Sequence, residues 1–209
     1  MKRILISLTA CLVLLSCGQN RAKKDAVPAG DTDKHVTDTK SVADVQVNNE
    51  KEEDSSINAI IRYMKGLGAS YSPGEHCIPY CLVVASDESN PDDIRVWGDF
   101  WVENYNQSGD TLKSVSGGSH PGCMHVKKAG SNFEVTQFDA VGDGSSFIPT
   151  AKAIFGNRYD ALIALSSNDE AKKAARAKSI LDYAKAKNLH VSFYQDFGWP
   201  AVKLPANGE

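Results

Sequence analysis

The chain has 209 residues, a formal net charge of −3 at pH 7 and 42% apolar residues. That length supports one well-cored domain with appended segments. The mild acidity excludes nucleic acid as a partner, because phosphate binding needs a net basic face.

Lys2 and Arg3 open the chain, and residues 4–15 form an apolar run. About a dozen residues fall short of the roughly 20 needed to cross a hydrocarbon core, so the run is expected to be an export signal. It ends in Leu14-Leu15-Ser16-Cys17, which resembles the lipobox of bacterial lipoproteins. The resemblance implies cleavage after residue 16, a diacylglyceryl thioether on Cys17 and acylation of the new amine. Loss of residues 1–16 takes away Lys2 and Arg3 and no acid, so the net charge of −3 becomes −5. Two or three acyl chains hold a protein at a membrane far more firmly than one. Gly18, rather than an aspartate, follows the cysteine, which favours the outer over the inner membrane of the cell envelope.

Residues 18–54 contain no aromatic side chain and are rich in Lys, Asp, Glu, Asn, Thr and Val. Such a segment buries too little apolar surface to offset its ordering entropy and is expected to be a disordered tether. As a flexible coil it would span about 30 Å root-mean-square.

The globular domain is expected over residues 55–209. Ser55 or Ser56 caps a helix whose Ile57, Ile60, Ile61 and Met64 repeat at helical spacing, ending at Gly66 or Gly68. Residues 78–85 are expected to form a buried strand and residues 94–105 a long alternating one. A turn at Gln107-Ser108-Gly109-Asp110 leads into a strand over 111–116. A hairpin of 123–128 with 133–138 follows, turning at Ala129-Gly130-Ser131-Asn132. Between them, Ser116-Gly117-Gly118-Ser119-His120-Pro121-Gly122 is expected to be a glycine-rich loop. Helices are expected over 149–155, 158–165 and 169–187, the last with Ala171, Ala174, Ala177, Leu181 and Ala184 inward. A last strand is expected within 190–197. The whole is an α+β domain: an antiparallel meander of about four to six strands, one N-terminal helix, and C-terminal helices on one face or end.

This order loosely resembles cystatin-like and nuclear-transport-factor-2-like sheets curled around helices. The motifs Gly98-Asp99-Phe100-Trp101-Val102, Asn104-Tyr105-Asn106, Gly109-Asp110-Thr111-Leu112 and the glycine-rich stretch 116–122 resemble a group of exported bacterial proteins. That resemblance transfers no activity.

Alternation gives the long strand two faces. Val96, Gly98, Phe100 and Val102 form a core face; Trp97, Asp99, Trp101, Glu103 and Tyr105 form one that interleaves aromatics with acids. Rings beside carboxylates suit sugars or cations, which makes these five the ligand candidates. The alternative places both Trp rings under the C-terminal helices. Asp99 and Glu103 lie about 13 Å apart along the strand, beyond the roughly 5–9.5 Å of a glycosidase pair. No catalytic residue is therefore assigned.

Cys77, Cys81 and Cys123 remain in the mature chain beyond Cys17. In an exported protein thiols tend to pair, so Cys123 is expected to bond Cys77 or Cys81. The alternatives are unpaired structural thiols, or a zinc or copper site drawn from His76, Cys77, Cys81, His120, Cys123 and His125. Their spacing matches no standard zinc motif. Gly142-Asp143-Gly144-Ser145-Ser146 lacks a phosphate-loop lysine, and Asp139 with Asp143 misses the calcium-loop spacing. Lys172, Lys173, Arg176, Lys178, Lys185 and Lys187 are expected to form a solvated face.

The expectation is a lipid-anchored envelope protein, held to the membrane through its N-terminal lipid, that binds a glycan, peptide or protein without cofactor or catalysis. The alternatives are an envelope hydrolase using the aromatic–acid face, and a metal or redox protein using the His/Cys clusters.

Overall fold

A computed structural model describes residues 54–205; the export signal, Cys17 and nearly all of the tether lie outside them. The N-terminal helix α1 (Ser56–Gly68) starts where the Ser55 side chain accepts from the Asn58 N–H at 3.1 Å. Four long strands follow, β1 (His76–Asp87), β2 (Ile94–Ser108), β3 (Thr111–Ala129) and β4 (Asn132–Ala140), each antiparallel to the one before. Helices α2 (Phe147–Phe155), α3 (Tyr159–Ser166) and α4 (Asp169–Lys187) come next, then the short β5 (Phe193–Gln195) and β6 (Val202–Lys203).

The fold is α+β, with a six-stranded sheet ordered β1-β2-β3-β5-β6 and β4 also on β3. It is mixed rather than a pure meander, because β5 lies parallel to β3. A parallel neighbour needs a long crossover, and α2–α4 supply it.

The two faces of β2 carry separate cores. Val96, Phe100 and Val102 meet Ala59, Ile60 and Met64 of α1, with Met124 and Val126 of β3 beside them. On the other face α2 and α3 cover Trp97 and Cys123, Leu165 and Ala175 cover Tyr80 and Leu82, and α4 covers Ile78 and Tyr105. The helices thus sandwich the sheet, α1 on one face and α2–α4 on the other.

Two expectations are corrected. The stretch 116–122 is strand, not loop: β3 runs through it in register with β2. Its glycines are demanded by close approach, since a Cβ on Gly117 would lie 2.4 Å from the Val102 carbonyl oxygen and one on Gly118 2.5 Å from Tyr71 Oη. The inner stripe of α4 is rotated from the expected one. Ala175, Arg176, Ser179 and Ile180 are buried with Ala177 and Ala184, while Ala174 is exposed.

Candidate functional site

Bulky side chains on β2 and small ones on β3 build the helix-side floor of the sheet. Trp97 is part of the core: its Nε1–H donates to the Ile154 carbonyl at 3.0 Å and the Arg158 guanidinium lies 4.2 Å from its ring. Tyr105 is fully buried against α4. Neither belongs to an exposed ligand platform. Trp101 is half-buried and stacks on Tyr80 across the strands, centroids 5.6 Å apart and planes at 7°. Opposite it on β3 stands Ser119, and opposite Glu103 stands Gly117, both exposed. The small residues leave this part of the floor open.

Both carboxylates face that opening from beneath. Asp99 is 2% exposed; it accepts from Ser119 Oγ at 2.6 Å and from Trp101 Nε1–H at 2.8 Å. Burial pushes its pKa up, against the pull of those hydrogen bonds and of Lys172 and His120. Glu103 is buried too, accepts from Ser114 Oγ at 3.2 Å and lies 3.8 Å from Arg176. Its pKa is also raised by burial, which outweighs the opposing pull of Arg176 and Ser114.

Arg176 is the residue that sequence reasoning placed wrongly. It is buried, donates through Nε to Tyr105 Oη at 2.8 Å, grips Asp196 with both terminal nitrogens and lies 4.5 Å from the Tyr194 ring. Its position one turn before Ile180, on the apolar side of α4, was the available signal. The grip on Asp196 fixes the loop after β5 to the helix.

The expected disulfide is not formed: Cys77, Cys81 and Cys123 are free. Cys77 and Cys81 belong to the α1-side core and Cys123 to the α2-side core, so the sheet separates them. Burial pushes the Cys81 thiol up to about 12 and the Cys123 thiol up to about 11, which leaves both protonated and unreactive at neutral pH.

The six metal candidates do not converge either. His76 faces Tyr183 at 3.4 Å, His120 bonds Tyr71 Oη at 2.8 Å, and His125 sits between Asp93 at 2.6 Å and Asp139 at 3.2 Å. Among the described residues no three His, Cys, Asp or Glu side chains are grouped to hold a metal. Residues 142–146 fold onto the start of α2, with the Gly142 N–H donating to Thr150 Oγ1 at 2.9 Å and Ser146 Oγ to the Asp143 carbonyl at 2.7 Å. No helix among the described residues is long and apolar enough to cross a membrane.

Ser119 donates to the Asp99 carboxylate, while His120 points to the α1 side with Phe100 and Tyr71. Both oxygens of Asp99 are occupied in holding Ser119 and Trp101. No known protein family, curated protein or solved structure matches the chain at a significant level.

Proposed function

We propose that this is a lipid-anchored cell-envelope protein, at the outer rather than the inner membrane, whose α+β domain binds a ligand or partner without turning it over. One observation carries the binding half. The helices seal most of the sheet, yet Asp99 and Glu103 are held behind the exposed Ser119 and Gly117 of β3 with the Trp101 ring part-open between them. Burying two carboxylates opposes folding, and a binding role gives a reason to keep them. Leu14-Leu15-Ser16-Cys17 supports the anchor half.

Two experiments test the reading. Cys17→Ser should move the protein from the membrane fraction into soluble extract; a variant that stays with the membrane removes the anchor. The soluble mature chain should bind members of a glycan or peptide array, and Trp101→Ala should lose that binding while keeping a native circular dichroism spectrum. A wild type blank on both arrays removes the binding half.

A further inference from the structure

The outer edge of β3 is interrupted. At one end its residues 111–113 pair with β5, and at the other its residues 122–129 pair with β4. Between them residues 114–120 meet β2 alone, with Val115 left unpaired at a bulge, a gap about 20–23 Å long. The backbone here faces outward at alternate residues. Pro121 marks which: its carbonyl accepts from the Val141 N–H at 2.9 Å, on the β4 side. By alternation Ser119 and Gly117 turn their N–H and C=O groups to the same open side. Pro121 has no N–H to lose there, as suits a proline on a strand edge.

The rim of this gap is aromatic at one end, with the buried Asp99 and Glu103 behind its middle. β5 stops opposite Lys113, where the chain turns with the Trp199 N–H donating to the Asp196 carbonyl at 3.1 Å. This turn presents Phe197 at 95% and Trp199 at 71% exposure. It is braced, not loose: Arg176 holds Asp196, and Gln195 Nε2 donates to the Trp199 carbonyl at 2.8 Å. Midway along the gap, burial lowers the pKa of His120 and raises that of Tyr71, and the charged groups that also act on them are all acids. These are Asp99 and Asp143 for His120, and Asp143 and Glu103 for Tyr71. Of the nearby cations, Arg176 is committed to Asp196 and Tyr105, and Lys172, which also acts on Asp99, is engaged by Asp169 and the Ser166 carbonyl.

We infer that the gap is a docking slot for an extended basic peptide, which adds a strand to β3 between β5 and β4. The outward N–H and C=O groups of Gly117 and Ser119 supply main-chain bonds of the strand-addition kind. Gly117 and Ser119 carry little or no side chain at the open edge, the exposed Asp143 that acts on His120 and Tyr71 favours Lys or Arg side chains, and the Phe197 and Trp199 rings offer π faces to a cation. This inference rests on the binding role proposed above and names its partner and its mode.

The test uses the mature chain with Cys17→Ser and a display library of random nine-residue peptides as probe. Enriched peptides should carry Lys or Arg, protect the Gly117 and Ser119 amides from hydrogen exchange, and lose binding when N-methylated at alternate residues. Ser119→Pro removes one outward N–H and should weaken them at least about tenfold, whereas Ser119→Ala keeps that N–H and should retain them. Peptides that bind Ser119→Pro and their N-methylated forms undiminished but fail on Trp101→Ala would overturn the slot and leave the binding role standing. An unenriched library overturns the slot, and a blank glycan array beside it removes the binding role as well. Gly117 and Ser119 amides already protected without peptide, by a second copy or by residues 18–53, would assign the slot to that occupant instead.

Discussion

Replacing Trp97 by alanine measures whether the aromatic–acid face is core or surface. Trp97 is 5% exposed and packs with Cys123, Ala151, Phe155 and Leu162. Large aromatic-to-alanine changes in such surroundings cost about 3–5 kcal/mol. The orphaned Ile154 carbonyl adds about 1 kcal/mol, and the Arg158 contact at 4.2 Å about 0.5–1 kcal/mol. These contributions overlap, so the expected loss is about 4 kcal/mol, or about 8–16 °C in Tm for a domain of this size. Trp97→Phe keeps most of the volume and should lose only about 1–2 kcal/mol. Trp101→Ala should fall between, at about 1–3 kcal/mol, because it gives up a stack on Tyr80 and one hydrogen bond at a site open to water. Urea denaturation of the three variants, followed by far-ultraviolet circular dichroism, gives the comparison. A Trp97→Ala loss below about 1.5 kcal/mol, or a larger loss for Trp101→Ala than for Trp97→Ala, would refute this account of the face.

Three further outcomes are expected. Burial pulls the pKa of His125 down, but its hydrogen bonds to Asp93 and Asp139 outweigh that and raise it above 6.5. Its contribution to stability is therefore complete below about pH 6.5 and lost as pH rises through the raised value, and denaturation midpoints across pH 5.5–8.5 should show a decline that His125→Gln flattens. Alkylation after unfolding without reductant should label Cys77, Cys81 and Cys123 alike, and any pair found oxidised would overturn the separation of the two cores. Asp99 has the opposite relation to its charge: burial raises its pKa from 3.8, so stability should fall as pH rises from about 4 through the raised value. Asp99→Asn should remove that slope and leave the protein at least as stable at pH 7, and a marked loss there would show that the charged form stabilises the fold.

What could be read from the sequence was whatever local pattern dictates. The Ile57, Ile60, Ile61 and Met64 stripe and its serine cap located α1, and strict alternation around Phe100 and Val102 located β2 and a core face, which the fold packs on α1. The hidden parts depend on tertiary contact. Glycine and proline at 117, 118, 121 and 122 spoke for a loop, yet the β2 backbone approaches so closely that only a residue lacking a Cβ fits at 117, and a Cβ at 118 would displace the Tyr71 hydroxyl. Arg176 looked like one cation among several because its partners Tyr105 and Asp196 are distant in sequence. Trp97 and Trp101 share a face and a residue type, and what separates them is that α2 and α3 cover the first while only small β3 side chains stand beside the second. The cysteines erred for a related reason. Spacing along the chain said nothing of which side of the sheet each thiol would occupy.

The open part of β3 and the buried acids belong together physically. A sheet edge with unpaired N–H and C=O groups invites unplanned pairing, and proteins blunt such edges with proline, bulges or covering elements. Here the edge is covered at both ends by β5 and β4, carries Pro121 beside the gap and has a register shift near Asn104 and Tyr105, yet residues 114–120 keep their outer side unpaired. Directly behind them lie Asp99 and Glu103, each raised in pKa by its burial. Apolar residues of similar size would make that floor more stable, and a helix laid across the gap would make the edge safer. Both costs fall on the same few residues of β2 and β3, which is where a site under selection for recognition would concentrate them. The pairing of costs is testable as a unit: Asp99→Asn with Glu103→Gln should retain or raise stability at pH 7 while weakening any basic peptide that the slot holds. A double variant that unfolds would assign the two acids to the fold instead.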